Sequence, residues 1–329
     1  MLRDQKKKAA FFIALCLFTF FPWIGPSMIR GADYPSRPIT MIIQMTTGGV
    51  TDIVARKLAD SVSKDLGQPI VPVNKPGGGG TLGVGELVRS KADGYTFGCV
   101  SLPTVAVIPH LQTLPYDPLK DISHVCALLP YELGLYVKAD APWKSFEDLI
   151  DYARKNPGKV TYGSPGPGTI NHLSTVLIAR EYSLDWKNVP YKGDGEQIAA
   201  VLGGHISVGV SGPAAIIPHI KGGKLRLLVV TTKDRWLQLS EVPTLLDKGH
   251  KVILTSYLSL GLPAGTPEPI RQKLEESFRK ALQDLNIKKE FEEKFHTRLS
   301  YIGGAEYAKF VKEQYLYYKE FLKTIGMTK

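Results

Sequence analysis

Short apolar runs alternate with longer segments of helical periodicity along the chain from residue 40 onward. Residues 40–45, 70–73 and 96–101 have the length and the β-branched and aromatic content of buried strands. The amphipathic segments 52–66 and 82–91 follow the first two of these runs. Repeated strand–loop–helix units of this kind predict a parallel sheet covered by helices.

The second half of the chain repeats this rhythm. The predicted strands are 133–137, 160–162, 188–189, 206–210 and 225–231, and the predicted helices are 145–155, 170–182 and 196–202. A strand at 252–261 precedes two long helices, 267–285 and 305–325. The last helix carries an apolar stripe at i, i+3, i+4 and i+7 spacing: Tyr307, Phe310, Val311, Tyr318, Phe321, Leu322 and Ile325. We expect this stripe to pack on the core, although an exposed docking helix is the alternative.

The 329 residues are enough for two α/β lobes. No Ser/Gly/Pro-rich linker separates the halves, so strands around 125–136 and 252–262 are expected to join the lobes as a hinge. We assign residues 33–128 plus 253–329 to lobe 1 and residues 129–252 to lobe 2.

The first 32 residues have the pattern of a signal peptide. A basic start precedes an apolar run at residues 9–24. This run is shorter than the roughly 20 apolar residues that cross a membrane, so we favour a cleaved export signal over a retained anchor. The protein is therefore expected outside the cytoplasm, in the periplasm or an equivalent compartment.

The charge of the chain narrows the classes of partner that it could bind. Without residues 1–32 the chain has 36 basic and 30 acidic residues, a formal charge of +6. It lacks runs of Lys and Arg interleaved with aromatic residues, so nucleic-acid binding is not expected, and the mild basicity suits an anionic small molecule.

Cys99 and Cys126 each lie in an apolar run. They are expected to be buried free thiols, with a disulfide as the alternative.

The first glycine-rich loop lies between the strand 40–45 and the helix 52–66. Its glycines permit close approach of a ligand, and the helix N-terminus favours an anion. Thr51 or Asp52 is expected to be the N-cap, and Asp52 could have that role alone. The residues of this loop that we expect to contact a ligand are Thr46, Thr47, Gly48, Gly49 and Asp52.

The second loop, residues 74–81, begins with Asn74, which we also assign to the ligand site. Gly78, Gly80 and Gly83 match the G-x-G-x-x-G spacing of dinucleotide sites. However, no acidic residue occurs about 20 positions later, and no Gly-Lys-Ser/Thr closes a phosphate loop. A nucleotide cofactor is therefore not expected.

A third loop and a fourth turn supply the opposite half of the predicted anion site. The third loop, residues 162–169, precedes a helix, and the turn at residues 191–195 precedes another. The alternative in both places is a turn that only connects a strand to a helix and binds no ligand. The expected ligand-binding residues here are Ser164, Gly166, Gly168, Thr169, Asn171, His172, Gly193 and Asp194.

Catalytic and metal-binding patterns are weak. Ser211 misses the nucleophile-elbow pattern because Pro213 replaces its last glycine. His172 could serve Ser164, but no acid that would orient the histidine can be identified. The seven histidines lack metal-ligand spacing. We therefore expect neither an enzyme nor a metal or other cofactor.

The loops and several further motifs resemble the Bug proteins, the substrate-binding components of tripartite tricarboxylate transporters. The resemblance runs in order from about residue 34 to the end of the chain. Its motifs are Tyr34-Pro35-Ser36-Arg37-Pro38, Gly48-Gly49 with Asp52 and Ala55-Arg56, Asn74-Lys75-Pro76-Gly77, Asp93-Gly94-Tyr95-Thr96, Tyr116-Asp117-Pro118, Gly163-Ser164 with Gly168-Thr169 and His172-Leu173, Val189-Pro190-Tyr191-Lys192-Gly193, Leu202-Gly203-Gly204 and Pro263-Ala264-Gly265-Thr266-Pro267.

This resemblance implies a Venus-flytrap fold of the type II periplasmic class. It also implies a ligand carboxylate held between loops 48–52 and 164–169, and membrane transporter subunits as partners. Family ligands include di- and tricarboxylates, acidic amino acids and aromatic acids. The protein is expected to be a monomer.

One segment departs from the family pattern. Gln44-Met45-Thr46-Thr47 replaces a proline-rich, aromatic segment before the first Gly-Gly, which suggests a more polar ligand. A different class of function, in which the same fold presents a bound acid to a membrane sensor kinase, is the alternative to transport.

Overall fold

The computed structural model describes residues 34–250, 254 and 256–327. The predicted signal peptide lies outside this part of the chain. Among the described residues, no helix combines the length and the apolar character needed to cross a membrane.

Eleven strands and ten α-helices are formed within the described residues. The strands are β1 (Ile39–Ile43), β2 (Ile70–Asn74), β3 (Thr96–Ser101), β4 (Ile122–Pro130), β5 (Gly134–Lys138), β6 (Thr161–Ser164), β7 (Lys187–Pro190), β8 (Gly209–Ser211), β9 (Leu225–Val230), β10 (Tyr257–Pro263) and β11 (Ile302–Gly303). The helices are α1 (Val50–Leu66), α2 (Thr81–Arg89), α3 (Leu102–Ala106), α4 (Phe146–Lys155), α5 (Ile170–Glu181), α6 (Asp194–Leu202), α7 (Pro213–Lys221), α8 (Glu268–Gln283), α9 (Leu285–Lys294) and α10 (Gly304–Thr324).

A six-stranded sheet forms the first lobe, with the strand order β11-β4-β10-β3-β1-β2. Strand β1 pairs in parallel with β2 and β3, as the strand–loop–helix pattern predicts. Strand β10 runs antiparallel between β3 and β4, so the sheet is mixed rather than purely parallel.

Two smaller sheets form the second lobe. One has the order β8-β5-β9 with antiparallel pairs, and the other contains the parallel pair β6 and β7. A parallel bridge from Tyr162 to Val208 links the two, and one hydrophobic core covers both. The predicted parallel sheet is thus wrong for β5, which runs opposite to both of its neighbours.

The chain passes from the first lobe to the second and later returns. The strands of the second lobe all lie between residues 134 and 230, whereas those of the first lobe precede residue 131 or follow residue 256. The strands beside the two crossings, β4 and β10, pair with each other. The two-lobed α/β fold is confirmed, while lobe boundaries at 128/129 and 252/253 stay a prediction.

The C-terminal helix packs into the core of the first lobe. Tyr307, Val311, Tyr318 and Leu322 are buried, and Phe310, Phe321 and Ile325 pack against the same cluster. These are the residues of the predicted stripe, so core packing is confirmed.

Cys99 and Cys126 are buried free thiols, as predicted. Both residues are paired in register with Leu260, one from each side of β10. Because neighbouring strands lie about 4.8 Å apart, the cysteine Cα atoms are separated by two strand spacings, beyond the reach of a disulfide. Burial raises the pKa of the Cys99 thiol to about 12.

Candidate ligand-binding site

The first loop follows β1 and leads into α1. The N-cap of α1 is Gly49, and Gly48 has a φ of 84°, a left-handed conformation that favours glycine. The prediction of Thr51 or Asp52 as N-cap is wrong, because the two glycines let the helix begin at Val50. Asp52 lies in the first helical turn and accepts a hydrogen bond from the Gly48 N–H at 3.0 Å.

Asp52 and Asn74 hold this loop against the second loop. Asp52 Oδ1 accepts from Arg56 Nε at 2.8 Å and from Asn74 Nδ2 at 2.9 Å. Asn74 also donates to the Met45 carbonyl at 2.9 Å and accepts from Arg56 at 2.6 Å. The polar atoms of Asp52 and Asn74 are therefore engaged with the protein itself, and their contact with a ligand stays a prediction.

The segment 44–47 departs from the family pattern. Its side chains lie partly in the core of the first lobe and partly in the cleft between the lobes. With its amide oriented to suit its neighbours, Gln44 donates to the Cys99 carbonyl at 3.1 Å and accepts from the Ser101 N–H at 2.9 Å. Thr46 faces Gly193 of the second lobe. A Cβ added to Gly193 would lie 2.2 Å from Thr46 Oγ1. Thr47 is exposed and donates to Asn74 at 3.5 Å.

The third loop connects β6 to α5 in the second lobe. Thr169 is the N-cap of α5: its hydroxyl accepts from the His172 N–H at 3.4 Å and donates to the Gly166 carbonyl at 2.7 Å. Helix geometry leaves the Ile170 and Asn171 N–H groups without a partner within the helix, so the start of α5 favours an anion.

Three other residues of this loop and helix contact their own lobe. Ser164 donates to Asn188 Oδ1 at 2.8 Å, and Asn171 donates to the Val210 carbonyl. His172 Nδ1 accepts from the Gly168 N–H at 3.3 Å. Burial lowers the pKa of His172 to about 4, so the ring is neutral at physiological pH.

The fourth turn places Asp194 at the start of α6, against the first lobe. A Cβ on Gly49 would lie 3.2 Å from the Asp194 Cβ, so the beginnings of α1 and α6 touch. Asp194 accepts hydrogen bonds from Ser211 Oγ at 3.1 Å and from the Val50 N–H. Burial raises its pKa to about 6, although these two hydrogen bonds favour the ionised form.

A buried polar network lies beneath Asp194. Gln197 Oε1 accepts from the Val210 N–H at 2.8 Å and from Tyr136 Oη at 3.1 Å, and the Ser211 hydroxyl lies 3.4 Å from the same oxygen. These side chains fix the position of Ser211, which in turn orients Asp194. Sequence reasoning considered Ser211 only as a nucleophile and missed this supporting position.

A cavity lies between the loops of the two lobes and contains about 360 Å³ of empty space, part of it open to solvent. Its lining residues are Met45, Thr51, Ser101, Pro103, Tyr131, Pro165, Thr169, Ile170, Asn171 and Asp194. The Thr51 and Tyr131 hydroxyls lie 2.7 Å apart at its wall. No Lys, Arg or His is among these lining residues.

The structure brings together only some of the predicted site residues. Thr169, Asn171 and Asp194 line the cavity, whereas Gly166 lines an adjoining opening between residues 77–79 and 190–192. Sequence reasoning missed Ser101, Pro103 and Tyr131. Ser101 ends a parallel strand, and the carboxyl ends of such strands commonly border ligand sites, so its position was available as a signal. Within the described chain, His, Cys, Asp and Glu form no group of three that could hold a metal ion.

Comparison with known proteins identifies similar chains. The model of the tripartite tricarboxylate transporter family receptor matches residues 54–327. A UPF0065 protein from the gbd 5′ region of Cupriavidus necator is 38% identical over 92% of each chain.

Solved structures agree with this match. A periplasmic transporter structure has a TM-score of 0.85 and 34% identity, covering 90% of this chain and 99% of the other. The R. palustris protein Rpa4515, solved with adipate, has the same TM-score and coverage with 29% identity.

Proposed function

The chain belongs to the family of tripartite tricarboxylate transporter receptors, and we propose that it captures a small carboxylate and delivers it to the membrane subunits of a transporter. Members of this family are periplasmic solute-binding proteins, which bind their ligands rather than transform them. The sequence-based predictions of a Bug-like binding protein and of a non-enzyme are confirmed by this membership.

The cavity between the lobes is the observation that carries the proposal. It is bordered by the start of α5, where Thr169 caps the helix and the first N–H groups favour an anion. Met45, Pro103 and Ile170 supply apolar surface beside these polar groups. Donors combined with an apolar wall suit the carboxylate and the short carbon chain of an organic acid.

Family membership and this chemistry support a proposal for the ligand class. Rpa4515 was solved with adipate, a dicarboxylate. For the present protein we propose a di- or tricarboxylate, an acidic amino acid or an aromatic acid. Neutral donors and the helix dipole of α5 would meet the carboxylate, because the described residues that line the cavity include no Lys, Arg or His.

A thermal-shift screen of organic acids on protein freed of co-purified ligand tests the binding function, with calorimetry as confirmation. A ligand that binds only the folded state stabilises the protein by about 2.7 kcal/mol at a hundredfold excess over Kd. Lys75→Ala is a matched control, because Lys75 is paired with Glu86 at 3.0 Å outside the cavity lining. A melting temperature unchanged by every acid of a broad panel would contradict the proposal.

Uptake measurements separate transport from sensing. A strain that lacks this protein should lose uptake of the labelled acid found in the screen, and the intact gene should restore it. Normal uptake combined with loss of a transcriptional response to that acid would instead support the sensor function. Size-exclusion chromatography with light scattering tests the expected monomer.

A further inference from the structure

Asp194 is an unusual residue for an anion site. Its side chain is half-buried between the lobes, lines the cavity and touches the start of α1 through Gly49 and Val50. An ionised acid at this position repels a ligand carboxylate placed beside it, and the reduced dielectric of a partly buried site strengthens the repulsion.

The two acids near the start of α1 have different partners. Asp52 is neutralised by Arg56, whereas Asp194 forms no ion pair among the described residues. The groups that face Asp194 are neutral: Ser211 from β8 and the backbone of Val50 from α1. Tyr131 and Tyr136 are close enough for Asp194 to raise the pKa of their phenols, and burial keeps both neutral.

These contacts make the two ends of the cavity chemically different. The start of α1 already faces the carboxylates of Asp52 and Asp194, so its attraction for a further anion is largely satisfied within the protein. The start of α5 has Thr169 as its cap and the Ile170 and Asn171 N–H groups, which lack an acceptor within the helix, so it remains suited to an anion. Apolar Met45, Pro103 and Ile170 complete the wall.

We propose that Asp194 determines specificity by selecting, among small carboxylates, those that present an ammonium or hydroxyl group to its carboxylate, while the ligand carboxylate lies at the start of α5. The proposal rests on the proposed function, since it refines which carboxylate the cavity accepts. The ligand class is thus a small amino or hydroxy carboxylate rather than an unsubstituted dicarboxylate.

Three acids with the same four-carbon dicarboxylate skeleton test this proposal: succinate, malate and aspartate. They carry hydrogen, hydroxyl and ammonium at the same carbon. Calorimetry on ligand-free protein near pH 7.5 should give affinities in the order aspartate, malate, succinate. Loss of a hydrogen bond to a charged group should weaken succinate by about tenfold or more relative to aspartate.

Asp194→Asn should reduce this preference, because the neutral amide neither attracts an ammonium nor repels a second carboxylate. Asp151→Asn, an exposed residue on α4, is the control with the same change in net charge. Equal binding of the three acids by the wild type, or an unchanged preference in Asp194→Asn, would overturn the proposal. The wild-type series decides the matter even if the variant folds poorly.

The outcomes also separate this proposal from the proposed function. Tight binding of acids without preference for a donor contradicts only the role of Asp194. Absence of binding by any acid, including longer and aromatic ones, contradicts carboxylate capture itself and the role of Asp194 with it.

Discussion

A buried carboxylate, Asp52, and a half-buried one, Asp194, lie near the start of α1, and their partners give them different roles. Asp52 receives hydrogen bonds from Gly48, Arg56 and Asn74, so it anchors the first loop. Asp194 receives its hydrogen bonds from Ser211 and the Val50 backbone and keeps an ionisable group in the cavity. The sequence predicted that both residues belong to the site. It could not predict their partners, because Asn74 and Ser211 are brought close only by the sheets.

Replacement of Asp194 should change how stability depends on pH. The folded-state pKa of Asp194 is raised from 3.8 to about 6, so the folded protein binds a proton more tightly than the unfolded chain does. Protonation of Asp194 therefore stabilises the folded protein fully below about pH 4. This stabilisation is lost as the pH rises through about 6, a change in the free energy of unfolding of about 3 kcal/mol at most.

Asp194→Asn should therefore flatten the pH dependence between pH 4 and 7 and be more stable than the wild type at pH 7.5. Urea denaturation of ligand-free protein at several pH values measures this, with Asp151→Asn as the control. Asp52 and the nearby tyrosines are common to both proteins, so they cancel in the comparison. Parallel stability curves for Asp194→Asn and wild type would contradict the raised pKa.

Removal of the Asp52 side chain should destabilise the protein at neutral pH. Asp52→Ala removes the acceptor of the Gly48 N–H and one of the two acceptors of the Asn74 amide, and it removes the ion pair with Arg56. We expect a loss of about 2 kcal/mol, since Arg56 is partly solvated and can rehydrate. Asp52→Asn keeps one acceptor oxygen and should lose less. Equal stability of Asp52→Ala and wild type would mean that water replaces these contacts fully.

At the scale of elements, the strand–helix rhythm predicted most of the structure. Strand β3 occupies the predicted residues 96–101, and α1 begins two residues earlier than predicted. The predicted helix 267–285 ends at Gln283 because Asp284 caps a separate helix, α9, by accepting from Asn286 and Ile287. Helix α7 was missed, since Pro218 inside it argues against a helix.

The cap of α5 should contribute to both stability and binding. Thr169→Ala removes the hydroxyl that accepts from the His172 N–H and should cost about 1 kcal/mol. It should also weaken carboxylate binding, because Thr169 lines the cavity at the start of α5. Thermal melts and calorimetry measure the two effects, and Thr169→Ser should retain most of each. An identical affinity in Thr169→Ala would contradict placement of the ligand carboxylate at this helix.

At the scale of the whole molecule, glycines allow close contact between the lobes. A Cβ on Gly168 would lie 2.6 Å from Leu111 Cδ1, and one on Gly195 would lie 2.7 Å from the Thr47 carbonyl oxygen. A Cβ on Gly79 would lie 3.1 Å from Thr169 Cγ2. The sequence identified these glycines as ligand-loop residues, but it could not show that they face the opposite lobe, because the contacts join segments far apart in the chain.

These contacts predict that a methyl group in the cleft will hold the lobes apart. Gly193 is suited to the test, because its φ of 175° is extended backbone that any residue adopts, so Gly193→Ala introduces no backbone strain. The new Cβ would lie 2.2 Å from Thr46 Oγ1 and 3.0 Å from the Thr46 backbone nitrogen. The collision is with the other lobe, and the second lobe should fold normally.

We expect Gly193→Ala to bind its carboxylate at least about tenfold more weakly, since misfit in a packed contact costs about 1–3 kcal/mol. Small-angle scattering with saturating ligand should give a larger radius of gyration than for the wild type. Gly85→Ala on α2 is the matched control, because its new Cβ meets the movable end of Arg89 at 3.3 Å and makes only an ordinary contact with Pro115 Cγ at 3.6 Å. If Gly193→Ala kept wild-type affinity and wild-type scattering, the contact of Gly193 with Thr46 would not belong to the ligand-bound state, and closure would have to occur through other residues.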